Sequence, residues 1–219
     1  MKQDIGDITL KVCETFTSIQ GEGRDIGFPF FFIRLSGCNL RCSYCDTKYA
    51  YNNFKELSLK ELLSLWKQSG IKRCLITGGE PLLQKNSIEL MKLLISNGAS
   101  VYLETNGSID TSIVPFDVTK IVDWKTPGSK MENSFLISNL DTLTSKDQIK
   151  FVITDEKDYI FSKERVKKYD LLSFTHVIFS VAMPHLKPIE LAQWILRDKL
   201  EVRFQIQLHK IIWGDKKGV

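Results

Sequence analysis

Short apolar runs alternate with amphipathic stretches along most of the chain. Residues 8–17 switch loosely between apolar and polar side chains, the period-two pattern of an opening strand. Residues 30–35 (Phe-Phe-Phe-Ile-Arg-Leu) form an aromatic-rich apolar run, which predicts a strand buried on both faces. Ser58-Leu59-Lys60-Glu61 is a capping box, followed by Leu62, Leu63 and Trp66 at helical spacing and closed by Gly70. A strand is expected at 73–77, then a helix carried by Ile88, Leu90, Met91, Leu94 and Ile95 and ended by Asn97-Gly98. Further strands are expected at 101–103, 119–122, 149–153, 177–180 and 202–207, with helices at 155–168 and 188–196.

Strands that alternate with helices imply parallel βαβ units with right-handed crossovers, whose chemistry gathers at the carboxyl ends of the strands. A full eight-unit barrel takes about 250 residues. This chain has 219, and residues 109–147 show too little helix for complete units. The expected fold is therefore α/β, a partial (incomplete) TIM-like barrel of parallel strands, in one domain spanning 1–219.

Composition narrows the setting. Hydrophobic residues make up 43% and charged residues 26%, ordinary globular usage with a net charge of +4. Lys167-Lys168 and Lys216-Lys217 read as solvated surface, so neither a nucleic-acid nor a membrane partner is expected. The amino end lacks an apolar signal region, and no run approaches the ~20 apolar residues of a membrane helix. A cytoplasmic location is expected. Five cysteines, an odd number, do not suit a disulfide framework.

Three of those cysteines lie within eight residues, Cys38, Cys42 and Cys45, while Cys13 and Cys74 stand alone. A [4Fe-4S] cluster is held by cysteine thiolates and normally takes four, so CxxxCxxC leaves one iron open to a small chelating molecule. The bland alternatives are a zinc knot, for which no second ligand pair exists, and three stray thiols in a polar turn. The loop resembles that of the radical S-adenosylmethionine (SAM) superfamily. In that superfamily the amino and carboxylate groups of SAM occupy the open iron.

The remaining motifs each have a plain reading as well. Gly78-Gly79-Glu80-Pro81 could be a strand-to-helix turn, and Glu104-Thr105-Asn106-Gly107 an Asn-Gly turn. Ser145-Lys146-Asp147 reads equally as a solvated turn, and Asp123-Trp124-Lys125-Thr126-Pro127-Gly128-Ser129 resembles the Asp-x-Lys-x-Pro-Ser stretch of one radical SAM subfamily, with Gly128 displacing the expected Ser by one place. Arg34 interrupts a buried strand, so it either pairs inside the barrel or points at an anionic ligand. In order, Ser18-Ile19-Gln20-Gly21-Glu22-Gly23, Arg34, Cys45-Asp46-Thr47 and Gln207-Leu208-His209-Lys210 resemble the 7-carboxy-7-deazaguanine synthase family over nearly the whole chain.

That resemblance implies conversion of 6-carboxy-5,6,7,8-tetrahydropterin to 7-carboxy-7-deazaguanine and ammonia by radical ring contraction, toward queuosine. It implies a [4Fe-4S] cluster on Cys38, Cys42 and Cys45, and Mg2+ at Thr47. SAM contacts follow at Tyr44, Cys45, Asp46, Gly78, Gly79, Glu80, Gly107, Ser145, Lys146 and Asp147. Substrate contacts follow at Ile19, Gln20, Gly21, Glu22, Arg34, Thr105 and His209. An electron donor such as a flavodoxin and a homodimer are implied too. Two rivals remain at this level: an activase that installs a glycyl radical in a partner enzyme, and a non-catalytic iron-sulfur redox sensor.

Overall fold

Nine strands form one sheet in the order β3-β1-β2-β4-β5-β6-β7-β8-β9. The structure is a computed structural model that describes residues 8–214, 216 and 218, so residues 1–7, 215, 217 and 219, which include the amino end and Lys217 read above, lie outside it. The first strand, β1 (Thr9–Ile19), runs antiparallel to β2 (Pro29–Leu35) and to β3 (Lys55–Ser58). From β2 onward every pairing is parallel: β4 (Arg73–Gly78), β5 (Ser100–Thr105), β6 (Thr119–Asp123), β7 (Gln148–Ile153), β8 (His176–Val181) and β9 (Arg203–Gln205).

Helices connect these strands where the apolar spacing predicts them. In α1 (Leu59–Ser69) the Ser58 hydroxyl accepts from the Glu61 amide at 3.2 Å, and Glu61 accepts from the Ser58 amide at 2.7 Å. Gly70 ends that helix in the left-handed region, φ 66°. The others are α2 (Asn86–Ser96), α3 (Glu156–Lys168), α4 (Pro188–Asp198) and the short α5 (Leu208–Trp213). Between β5 and β7 no α-helix accompanies β6, and 3-10 turns at Pro127–Ser129 and Ile137–Thr142 stand in that stretch.

Two features depart from the sequence pattern. The last strand is three residues long, where 202–207 was expected, and the chain then turns into α5. Strand β3 has a largely exposed, polar sequence and exists through its register with β1, so no hydrophobic alternation announces it.

Strand periodicity decides what faces inward. Phe31, Ile33 and Leu35 of β2 join Cys74 and Ile76 of β4 against α1 and α2, and Ile149, Phe151 and Ile153 of β7 pack with the α3 side of the sheet. The alternate positions therefore point into the barrel. Low in the barrel these are Phe30, Phe32, Leu75 and Ile121, which form a small apolar cluster of their own. Higher up they are Arg34, Thr77, Glu104, Asp123 and Lys150, a polar ring contributed by five neighbouring strands.

Candidate active site

The polar ring lines a cavity of about 280 Å³ whose mouth carries the cysteine loop. Within the ring, Arg34 Nε donates to Glu14 Oε1 at 2.8 Å, and Thr77 Oγ1 donates to Glu104 Oε2 at 2.8 Å. Lys125 Nζ lies 2.9 Å from Asp123 Oδ2, and Lys150 Nζ binds Glu22 and stands 3.7 Å from the same Asp123 oxygen. Burial alone would raise the Glu22 pKa, yet Lys150 and His209 outweigh it and lower the carboxyl from 4.5 to about 2. Lys150 itself is held well above its ordinary value, because Glu22, Asp123 and Glu104 outweigh its burial.

Glu22 belongs to a turn that closes the open side of the barrel. Since β1 is antiparallel, its carboxyl end falls at the foot of the parallel strands. The turn reaches the cavity by folding across to the far edge of the sheet. The Gly23 amide donates to Gln205 Oε1 (2.8 Å), Gln205 Nε2 returns a bond to the Gly23 carbonyl (2.9 Å), and the Arg24 amide donates to Gln148 Oε1 (2.7 Å). The Leu208 amide donates to the Gly21 carbonyl at 3.1 Å, and Gln207 Nε2 to Glu22 Oε1 at 2.6 Å. A Cβ on Gly21 would run into the His209 ring, with Cγ only 2.7 Å away, so glycine lets α5 sit against the turn.

At the mouth, Cys38, Cys42 and Cys45 all line the cavity. The Leu40 amide donates to Cys38 Sγ at 3.4 Å, and Asn106 Nδ2 stands 4.0 Å from the same sulfur. Burial pushes the Cys38 and Cys42 thiols up, Cys45 adds to it at both, and Lys125 opposes it at both, with the Leu40 amide also opposing it at Cys38. Three thiols near one another, with N–H groups aimed at one sulfur, suit cluster ligation, where hydrogen bonds to sulfur tune the potential. Among the described residues no three His, Cys, Asp or Glu side chains are gathered as ligands of a single ion.

The Gly-Gly-Glu-Pro turn is the bed of this loop. The Gly79 amide donates to the Leu35 carbonyl (3.2 Å) and the Glu80 amide to the Gly37 carbonyl (2.8 Å). A Cβ on Gly79 would strike the Gly37 carbonyl and stand 2.7 Å from Cys38 Cβ, so a side chain there would displace the first cysteine. The other flank is braced by the Pro127–Ser129 turn: Ser43 donates through its amide to the Ser129 carbonyl (3.1 Å) and through Oγ to the Gly128 carbonyl (2.6 Å). Ser129 thus acts through its backbone, one place beyond the pattern.

Of the residues singled out in the sequence, Ile19, Gln20, Gly21, Glu22, Arg34, Cys38, Cys42, Tyr44, Cys45, Asp46, Thr47, Gly78, Gly79, Thr105 and His209 converge on this cavity. Others do not. The Glu80 side chain is fully buried and accepts from Thr105 Oγ1 (2.9 Å) and from the Asn106 (2.7 Å) and Leu82 (3.0 Å) amides, so it joins two motifs from behind the cavity wall. Gly107 backs onto Phe135 and Val122. Ser145, Lys146 and Asp147 precede β7 and so lie at the amino end of the strand, opposite the mouth. There Lys146 Nζ donates to the Phe116 carbonyl, the Ser145 carbonyl accepts from Arg24 (3.2 Å), and Asp147 accepts from the Lys120 amide (2.8 Å).

Lys150 went unread in the sequence, and Glu104 and Asp123 lay in motifs that were singled out without a role for either side chain. Lys150 bears the same mark as Arg34, a charge inside an apolar strand, and Glu104 and Asp123 end their strands as the other motifs do. Lys210, from the Gln-Leu-His-Lys stretch, reaches Asp46 at 3.2 Å and ties α5 to the cysteine loop.

An incomplete parallel barrel with CxxxCxxC at its mouth and a glycine-bedded ligand loop is the architecture of a radical SAM enzyme, and the radical SAM superfamily profile matches residues 32–123. The chain is 40% identical to the 7-carboxy-7-deazaguanine synthase of Koribacter versatilis, over 96% of this chain and 100% of that one. It is likewise 40% identical to the synthase of Clostridium acetobutylicum, over 95% and 99%. The chain therefore belongs to the 7-carboxy-7-deazaguanine synthase family. A crystal structure of QueE from Escherichia coli has the same fold, with a TM-score of 0.79 over 94% of this chain and 96% of that chain at 22% identity. No helix among the described residues is long and apolar enough to cross a membrane.

Proposed function

We propose that the chain converts 6-carboxy-5,6,7,8-tetrahydropterin to 7-carboxy-7-deazaguanine and ammonia, toward queuosine and related deazapurines. The observation that carries this reading is the meeting, in one cavity, of three cysteines at the mouth with a ring of charged and amide side chains beneath them. Product and ammonia together contain every atom of the substrate, so the conversion is redox-neutral overall.

The [4Fe-4S] cluster is assigned to Cys38, Cys42 and Cys45, and SAM to the surfaces of Tyr44, Cys45, Asp46, Gly78 and Gly79. A cluster carrying SAM supplies one-electron cleavage of the sulfonium and, through it, hydrogen-atom abstraction. Mg2+ suits Thr47, whose Oγ1 is 2.9 Å from Asp46 Oδ1, since this hard cation takes oxygen ligands, keeps several waters and needs few groups from the protein.

The chain's own side chains bind and orient. Arg34, held at Nε by Glu14, presents its guanidinium to the ligand carboxylate. Gln20 and Glu22 face the nitrogen-rich edge of the pterin, with Thr105 and His209 at its borders. Phe16, Phe32 and Ile121 form the apolar wall that keeps water from the reacting ring. An electron donor such as a flavodoxin and a homodimeric working unit complete the proposal.

The test is anaerobic reconstitution followed by turnover with 6-carboxytetrahydropterin, SAM, Mg2+ and a reductant. Product of the deazaguanine mass, dependent on SAM and abolished by Cys42→Ala, is expected. SAM cleavage with no deazapurine formed would refute the substrate assignment.

A further inference from the structure

One residue of the polar ring touches both halves of the cavity. Lys150 points inward from β7, is 7% exposed, pairs with Glu22 on the β1 turn and stands 3.7 Å from Asp123 Oδ2 on β6. Asp123 Oδ1 is sealed from solvent and has no hydrogen-bond partner. Gln20, 3% exposed, lines the same cavity and likewise has an unpartnered Nε2. Two buried polar atoms without partners thus belong to side chains that line the same cavity as this ammonium, and a buried polar atom left unpaired is costly unless a ligand completes it.

We propose that Lys150 is a positioning residue: it clamps Glu22 and Asp123 from separate elements so that Glu22, beside Gln20, meets the donor-rich aminopyrimidinone edge of the pterin as a fixed anion. This rests on the substrate reading above, and wild-type turnover separates failure of that reading from failure of this one.

Only an ionised carboxylate can accept both the ring N–H and the exocyclic amine of such an edge; a protonated carboxyl spends one oxygen as a donor. The groups facing Glu22 are Lys150 from β7, His209 from α5, Gln207 just before it, and Asp46 from the cysteine loop. Asp46 is itself engaged by Lys210, and Glu104 from β5 adds a further anion near Lys150. Lys150 is therefore the ammonium that holds Glu22 charged in a site where burial works the other way. The same clamp fixes the β1 turn to the sheet at mid-height, since the turn's other bonds run to the Gln205 to Leu208 segment and to Gln148.

The experiment measures KM and kcat for 6-carboxytetrahydropterin on reconstituted, cluster-normalised enzyme between about pH 5.5 and 8.5 for wild type, Lys150→Met, Glu22→Gln and the double variant. Lys150→Met should raise KM roughly tenfold or more near the acid end, less at the alkaline end, with a smaller effect on kcat. That new ionisation should vanish in the double variant, whose KM should match Glu22→Gln alone. A Lys150→Met profile parallel to wild type overturns the proposal, because a merely structural lysine would lower the active fraction without adding a titration. If Lys150→Met does not fold, the pair of Glu22→Gln and the double variant decides. Equal KM supports the clamp, and a further tenfold rise on losing Lys150 overturns it.

Discussion

Arg34 Nε lies 2.8 Å from Glu14 Oε1, a pair of adjacent strands in which both side chains are mostly buried, at 17% and 21% exposure. Tyr49 also donates to that Glu14 oxygen at 2.8 Å, so the guanidinium is fixed from one side while the residue lines the cavity. Lysine would keep the charge and lose the fork. Arg34→Lys should raise the substrate KM by roughly tenfold, with uncoupled SAM cleavage near the wild-type rate. Steady-state kinetics check this; an unchanged KM would leave Arg34 as a strut for Glu14.

Gly79 is predicted to be as necessary to the cluster as the cysteines. A methyl group there meets the Gly37 carbonyl and Cys38 Cβ, so Gly79→Ala should sharply lower iron and sulfide bound after reconstitution. Cys74→Ala, in the core behind β4, should keep its cluster at a stability cost of about 1 kcal/mol. Iron and sulfide counts on the two variants decide the point.

Thr47→Ala should raise the Mg2+ concentration needed for half-maximal product formation while the cluster absorbance stays as in wild type. Thr47 makes no side-chain cap on the turn that follows it, so loss of a cap does not explain such a shift. A metal titration of both proteins is the check.

Acid stability should report on Glu22. Its folded pKa of about 2 lies below the ordinary 4.5, with Lys150 and His209 overcoming the burial that alone would raise it. A depressed carboxyl stabilises the fold above its unfolded value and loses that contribution as pH falls through the folded one. The stability gap between wild type and Glu22→Gln should therefore be full above about pH 4.5 and close as pH falls toward 2. Denaturant titrations across that window test it.

Much of this was legible locally. The capping box at Ser58, the apolar spacing of α2 and the aromatic run of β2 specify their own elements, and CxxxCxxC states its chemistry in eight residues. What was hidden depends on long-range geometry. Ser145, Lys146 and Asp147 look like neighbours of a strand, but only the strand's direction tells which end they occupy. Strand β1 ends at the foot because it runs antiparallel, and the route of Gln20 and Glu22 from there into the cavity depends on Gln205 and Gln207, more than 180 residues away. The buried link from the Glu80 carboxylate to Thr105 and Asn106, 25 and 26 residues on, has no local sequence signal.

The central claim is that one cavity holds the cluster at its mouth and the pterin beneath it. A crystal structure of the reconstituted protein with SAM, Mg2+ and 6-carboxytetrahydropterin tests this directly. The account predicts the pterin between the cysteine loop and the Gln20–Glu22 turn, with its carboxylate at Arg34 and its aminopyrimidinone edge at Gln20 and Glu22. A pterin bound outside this cavity, or with its carboxylate directed away from Arg34, would contradict it.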